Sequence, residues 1–360
     1  MIKIPIANPS IDKKEALSAF RVIRNGWISM GSEVSKLEEK IKKYIGVKHA
    51  ILFNNGTSAL HAALSYYGIK KGDEVIVPTL SYISSANVIL YCGAKPVFCD
   101  IDEDTMNIDP NKIEALITKN TKAIMCVHIY GVPCDIKAIC EIAKDNNIKV
   151  IEDCAEALGS KVNGTHVGTL SDISTFSFFG NKTITTGEGG MVVSRNKRLI
   201  DFIKKNSFHG IDKDVYSRYN TINKQWNYDV KFAGYKFNMT DISAALGVEQ
   251  LKKMLLNYRK RSKIFSTYKL LLNNNPLIKI PLSNNQNFQS SKHLFVIRIS
   301  KNLRDKVAHN LVKNGIGVSL HYVPIHRHTF WKKQLKMYQI NKFLSAAAPR
   351  GRRRRRRFLC

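Results

Sequence analysis

From residue 50 to residue 194 the chain alternates short apolar runs with segments of helical spacing, and few folds accept that alternation. The runs at 50–53, 74–78, 96–101, 123–128, 149–152, 175–179 and 191–194 have strand length; 59–67, 84–91, 110–117 and 135–145 carry helical spacing between them. Such connections are right-handed crossovers, which predict an α/β fold with a mostly parallel central sheet and helices on both faces. In such sheets ligands bind beyond the carboxyl ends of the strands. Helices are predicted at 12–24 and 32–44, with the Trp27 loop between them. A long helical pattern from 241 to about 272 has apolar residues recurring at three and four (Ile242, Ala245, Leu246, Val248, Leu251, Met254, Leu255), as a connector between domains would. Beyond it the text reads as α+β, with strands at 294–299 and 318–322 around a helix at 303–313. The expected organisation is a large domain over 1–245, a smaller one over 246–342, and a basic tail over 343–360. The stretch 209–236, rich in Asn, Tyr and Lys, reads as a surface excursion or an arm toward a partner.

Four strand or helix ends carry chemistry. Residues 54–61 open a helix after the first sheet strand, so Gly56, Thr57 and Ser58 offer backbone amides, a helix dipole and hydroxyls to an anion; ordinary capping by Thr57 or Ser58 is the alternative. Asp153 ends an apolar strand, where a carboxylate needs a cation or donors; it could equally cap the next turn. Tyr82, after another strand end, could stack on a flat ring or serve as a core or interface aromatic. Lys182 lies in a Gly- and Thr-rich loop between two strand candidates, where Ser177, Thr183, Thr185 and Thr186 could line an amine nucleophile, though lysine is abundant here. An anion site, a strand-end carboxylate, a stacking ring and a loop lysine together describe a site for pyridoxal 5′-phosphate (PLP).

The segments NNGTSALHAAL, VPTLSYISSAN, EDCAEALGS, FSFFGNKTITTGEGGM, GYKFNMTDISAALG and HYVPIH, in this order, resemble the DegT/DnrJ-type nucleotide-sugar aminotransferases. The likeness runs from the N-terminal helix to about His326 and implies the PLP-dependent aspartate-aminotransferase fold. It implies Lys182 as the Schiff-base lysine and proton shuttle, Asp153 as partner of the pyridine nitrogen, Glu156 beneath the ring and Tyr82 above it. Gly56, Thr57, Ser58 and Ser177 would hold the phosphate. Lys236 and Asn238 would reach the phosphate in the other subunit of a homodimer, and His321 and Trp27 would lie toward substrate. Many members carry Asn and Arg where Lys236 and Asn238 stand; a lysine can still meet phosphate as a point charge. The implied reaction moves an amino group from L-glutamate to a keto carbon, C4 by preference, of a nucleotide-linked keto-deoxysugar for surface-polysaccharide or glycan precursors. FFGNK and EDCAEA resemble perosamine-synthase-type members, GYKFN aminoarabinose-type ones. Dehydrating members carry His at the lysine position, and this chain has Lys182. A catalytically silent PLP-binding or regulatory protein on the same scaffold is the alternative.

A net charge of +29 raises nucleic acid as a partner, yet Arg350 and residues 352–357 supply seven of those charges and the remaining lysines are dispersed, without a basic stripe interleaved with aromatics. Nucleic-acid binding is therefore confined to the tail as a minor alternative. The family's text departs at 343, where a further helix and strand would complete the small domain. Cys92, Cys99, Cys126, Cys134, Cys140 and Cys154 lack metal-ligand spacing and read as buried thiols; His321, His326 and His328 are too irregular for a metal site. The N-terminus has no export signal and no stretch is long enough for a membrane span, so a cytoplasmic location is expected.

Overall fold

The computed structural model describes residues 1–213, 227–281, 285–334 and the backbone of 356–359. Two amphipathic helices, α1 (Lys13–Arg24) and α2 (Ser32–Ile45), precede a run of strands and helices: β1 (His49–Phe53), α3 (Gly56–Tyr66), β2 (Glu74–Pro78), α4 (Ser84–Tyr91), β3 (Lys95–Cys99), β4 (Thr121–Val127), α5 (Ile136–Asp145) and β5 (Lys149–Asp153). A small hairpin, β6 (Lys161–Val162) and β7 (Thr165–His166), separates these from β8 (Ile173–Ser177), β9 (Gly190–Ser194) and α6 (Lys197–Asn206). Seven strands form one sheet in the order β1-β9-β8-β5-β4-β2-β3. Pairings are parallel from β8 across to β3. Only β9 runs against the rest, pairing antiparallel with both β8 and β1. The reason is local: a parallel return needs a crossover, and the β8–β9 link instead folds back on itself through Phe178 N–H to Gly189 O (2.8 Å) and Thr186 N–H to Phe178 O (2.9 Å). Lys182 is carried on that fold-back.

Both faces of the sheet are covered, which is why β2 and β9 are buried along their whole length. One face packs on Leu37 and Ile41 of α2 and Ile139 of α5, the other on Leu64 of α3, Ile89 of α4 and Ile203 of α6. Asp241 ties the N-terminal region to the sheet: its carboxylate accepts from the amides of Gly31 (2.8 Å), Val34 (3.0 Å) and Glu33 (3.2 Å), capping α2 from 207 to 210 residues away.

Three expected elements differ. Residues 110–117 form two 3₁₀ turns, Pro110–Lys112 and Glu114–Leu116, because only Ile113 of that stretch is buried and no apolar stripe supports an α-helix. The long helical pattern is two helices, α7 (Asp241–Lys252) and α8 (Met254–Leu272), separated at Lys253, whose ammonium is held by Glu15 (2.6 Å) and Asp12 (2.8 Å). Residues 318–322 form no strand and pair with none among the described residues. The chain turns back instead onto the sheet: Ile325 N–H bonds Thr79 O (2.8 Å) at the end of β2, and the Ile325 and Trp331 side chains enter the core beside α3 and α4. After the short strand β10 (Phe288–Gln289) come β11 (Ile297–Ser300), α9 (Lys301–Lys313), α10 (Thr329–Gln334) and β12 (Arg356–Leu359), the last pairing antiparallel with β11 although the sequence reading places it in a basic tail.

Of the 209–236 stretch, 214–226 lie outside the described residues, and its flanks meet through Ile211↔Val230 and Phe208↔Lys236 bridges. The six described cysteines are free thiols. Among the described residues no helix is long and apolar enough to cross a membrane. Ile325 is fully buried and anchors the returning segment. Ile325→Ala is expected to lower stability by about 2–4 kcal/mol, read from the midpoint of urea unfolding.

Candidate active site

The carboxyl ends of β2, β5 and β8 and the start of α3 open into one cavity of about 560 Å³, with Lys182, Asp153, Glu156, Ser177, Tyr82 and His321 on its walls. At the α3 start the cap is Asn55, whose side chain accepts from Ser58 N–H (2.8 Å), so neither Thr57 nor Ser58 serves as the cap. The amides of Gly56 and Thr57 stand in a first helical turn that offers them no carbonyl. Gly190 is required by contact, since a Cβ there would lie 2.3 Å from Asn55 O, and Gly56 is tightly placed, a Cβ on it lying 3.0 Å from Ser177 Cβ. Gly56, Thr57, Ser58 and Ser177 thus form one concave set of donors, open to the cavity.

Asp153 ends β5 with 3% of its surface exposed. Ser85 Oγ donates to it at 2.9 Å and Ala155 N–H at 3.1 Å, so the turn-capping role and an open acceptor position coexist. Burial still pushes its pKa up, against those two donors and the Lys182 charge, so in ionised form this carboxylate is short of a cation. Glu156, three residues on, is the reverse. Burial would raise its pKa, but the Lys182 ammonium, then His293, the Tyr322 hydroxyl and the Tyr130 amide bring it down to about 2. Tyr130 N–H reaches Oε2 at 2.6 Å, Tyr322 Oη–H reaches Oε1 at 2.5 Å, and Lys182 Nζ stands 3.6 Å from Oε1.

The Lys182 side chain is 13% exposed. Of the hydroxyls expected around it, Ser177 shares its cavity, whereas the three threonines do not line it, contrary to the sequence reading. Thr185 Oγ donates to Phe178 O (3.1 Å), Thr186 Oγ to Glu188 O (2.6 Å) and Thr183 Oγ to Leu158 O (3.4 Å), so they fold the loop that presents the amine. Tyr82 is 57% exposed on the rim, its ring 6.0 Å from that of Tyr322 and tilted by 57°, which leaves its face open to a flat ligand. His321 faces it from the returning segment; burial lowers its pKa, so it is neutral near pH 7, and its Nδ1 has no hydrogen-bond partner among the described residues.

Trp27, Lys236 and Asn238 are not brought to this cavity within one chain. Trp27 donates to Met30 O (3.1 Å) and lines a separate cleft with Arg21 and Asp241. Lys236 places its ammonium 4.0 Å over the Phe208 ring, and Asn238 Nδ2 bonds Met239 O (3.4 Å). Four further residues belong to the site without having been singled out in the sequence: Ser85, Tyr130, His293 and Tyr322. Ser85 was findable, since a hydroxyl opening the helix after β2 can answer the carboxylate at the end of β5. The others act across long separations. His128, Glu152 and Cys154 are the group among the described residues close enough for a metal. Their ligand atoms are already engaged. Glu152 accepts from His128 Nε2 (3.0 Å), Gly168 N–H (3.0 Å), Ser171 N–H (2.9 Å) and Ser174 Oγ (3.1 Å), and His128 Nδ1 takes the Cys134 amide (2.9 Å). It is a hydrogen-bonded core layer beneath Asp153.

A concave donor set for a dianion, a buried carboxylate short of a cation and a lysine amine between them fit PLP, and fold and site together define a PLP-dependent aminotransferase. The chain belongs to the DegT/DnrJ/EryC1/StrS aminotransferase family, whose family model matches residues 9–348. It is 40% identical over 338 residues to GDP-perosamine synthase of Escherichia coli O157:H7, spanning 94% of this chain and 89% of that one. Among solved structures, the PLP form of Spr1654 from Streptococcus pneumoniae superposes with a TM-score of 0.88 at 28% identity, covering 99% of this chain and 92% of that one. Helicobacter pylori PseC, an aminotransferase of pseudoaminic acid biosynthesis, gives 0.84 at 30% identity over 92% and 88% of the two chains. The protein is a PLP-dependent sugar aminotransferase with a role in polysaccharide biosynthesis, acting on a nucleotide sugar with an amino donor.

Glu156 has its pKa lowered from 4.5 to about 2 on folding, so the stability it contributes is complete above pH 4.5 and is lost as pH falls toward 2. Glu156→Gln is therefore expected to destabilise the ligand-free protein at pH 7, with the difference from wild type shrinking steadily below pH 4.5; urea unfolding across that range measures it.

Proposed function

We propose that this chain transfers the amino group of L-glutamate to C4 of a nucleotide-linked 4-keto-6-deoxysugar. One observation carries the reading: a lysine amine stands in the cavity 3.6 Å from an ionised Glu156, on the same cavity wall system as the buried Asp153. The sequence likeness to GDP-perosamine synthase supports the sugar class.

Bound PLP supplies a carbonyl carbon that takes up the amino group and a pyridinium ring that withdraws electrons. The chain's residues do the rest. Gly56, Thr57, Ser58 and Ser177 would hold the phosphate at the positive end of α3. Asp153 would face the pyridine nitrogen and keep its proton, Tyr82 would cover one ring face, and Glu156 would lie under the other. Lys182 Nζ, released from the cofactor, would take the proton from the α-carbon of glutamate. His321, neutral and with an open ring nitrogen, is placed to bond the sugar. A cofactor-binding domain over 1–245 and a smaller domain over 246–342 are part of the same reading.

Trp27, Lys236 and Asn238 lie outside their own chain's cavity, which supports a homodimer in which each serves the partner's site. Lys236 would meet the phosphate there as a point charge.

Two experiments test these assignments. With added PLP the purified protein is expected to gain a visible band that L-glutamate bleaches, and a panel of nucleotide-linked keto-sugars should give an aminated product. Lys182→Ala should lose the band and reduce turnover by about 10⁴-fold; an unchanged band removes Lys182 from the reaction, and a band that glutamate does not bleach makes the protein a silent binder. Separately, mixing inactive Lys182→Ala with inactive Lys236→Ala chains should restore up to about a quarter of wild-type turnover through mixed dimers with one intact site. No recovery removes Lys236 from the partner's site.

A further inference from the structure

Glu156 Oε1 has more neighbours than it can bond. It accepts from the Tyr322 hydroxyl at 2.5 Å, and two further nitrogens approach it: Lys182 Nζ at 3.6 Å and His293 Nε2 at 3.8 Å. Both stand beyond good hydrogen-bonding distance of an oxygen that already holds one hydroxyl. The His293 side chain is only 2% exposed, and its Nε2 has no hydrogen-bond partner among the described residues. An unpartnered buried ring nitrogen is costly, and it is aimed at a carboxylate it does not reach while Lys182 is there.

Lys182 has to leave that position to react. With PLP bound, its amine would take the place of the carbonyl oxygen, which leaves as water, and once released would act at the donor's α-carbon. Each departure takes a cation away from Glu156 and leaves the carboxylate held on Oε1 by Tyr322 alone. We propose that His293 is a positioning residue that alternates with Lys182 on Glu156: its Nε2–H bonds Oε1 whenever Lys182 is engaged elsewhere and yields the oxygen when the amine returns. Glu156 is thereby kept charged and in place under the cofactor ring through both positions of the lysine. The role needs only an N–H at Nε2, which the neutral Nε2–H ring and the cation both carry. With Lys182 in place, burial and its ammonium hold the His293 pKa near 3, so the ring waiting beside Glu156 is neutral. The ionisable groups around it are Lys182, Glu156, Arg261 and His321. Arg261 is directed elsewhere, its two terminal nitrogens donating to Thr183 O at 3.4 Å.

The inference rests on the assignment of Lys182 as the cofactor-bonding residue, and the test separates the two. In the PLP-loaded enzyme the visible band titrates with pH. Without a donor on Glu156, its bare charge favours the protonated chromophore, so His293→Met is expected to raise the pH midpoint by about one unit, a tenfold change in proton affinity. His293→Gln, which keeps an N–H at that point, should stay close to wild type. In wild-type protein labelled with ¹⁵N-histidine, the His293 Nε2 resonance should move to a hydrogen-bonded position when PLP is added, a readout that does not depend on either variant folding. Equal midpoints in the three proteins, or a His293 resonance unmoved by PLP, overturn the inference. A wild-type protein that gains no visible band overturns the assignment of Lys182 instead.

Discussion

One carboxylate draws four distant pieces of this chain together. Glu156 takes the Tyr130 amide on one oxygen and the Tyr322 hydroxyl on the other, and faces Lys182 and His293. A buried charge with so many partners is stable only while all of them stay in register, because each lost donor leaves a desolvated oxygen behind. Tyr130 shows how firmly that register is held: it presents its amide from a left-handed backbone (φ 58°), a conformation that a bulky residue adopts only when its surroundings impose it.

The two carboxylates of the β5 end are set to opposite purposes by their surroundings. Asp153 has two donors and a pKa raised by burial, which leaves its ionised form short of a cation. Glu156 has its cation already, in Lys182, and stays ionised in the ligand-free protein. They stand three residues apart on one turn. The difference lies in what other elements bring to each: α4 supplies a neutral hydroxyl to Asp153, whereas the β8–β9 link supplies an ammonium to Glu156. In the proposed reaction one short turn would thus offer the cofactor an anionic partner for its ring nitrogen and a fixed negative surface beside Lys182.

The returning segment around Ile325 extends the same logic to substrate. Anchored by the Ile325 amide on Thr79 O and by Ile325 and Trp331 in the core, it carries His321 and Tyr322 over the cavity mouth. Its expected strand does not form, since its backbone bonds the end of β2 and the ordering comes from two buried apolar anchors. In the Lys182 loop, likewise, the threonines that look like active-site hydroxyls in the sequence are loop-folding groups. The loop's shape requires them, and it is Lys182 that brings an amine to the cavity.

What the sequence determined by itself is what short-range order encodes. Strand and helix periodicities located every strand of the main sheet within a few residues, and the glycines, the strand-end Asp153 and the loop Lys182 named a PLP site before any coordinates. These features depend on neighbours within a turn or two of the chain. Tertiary structure alone decided which groups complete them. The bond from Tyr322 to Glu156 spans 166 residues and the cap from Asp241 to α2 about 207, and no local pattern encodes a partner at such a distance. It also decided that Trp27, Lys236 and Asn238 stand away from their own chain's cavity. Which side chains share a buried space follows from how the sheet's crossovers and the returning segment pack, and packing is a property of the whole chain.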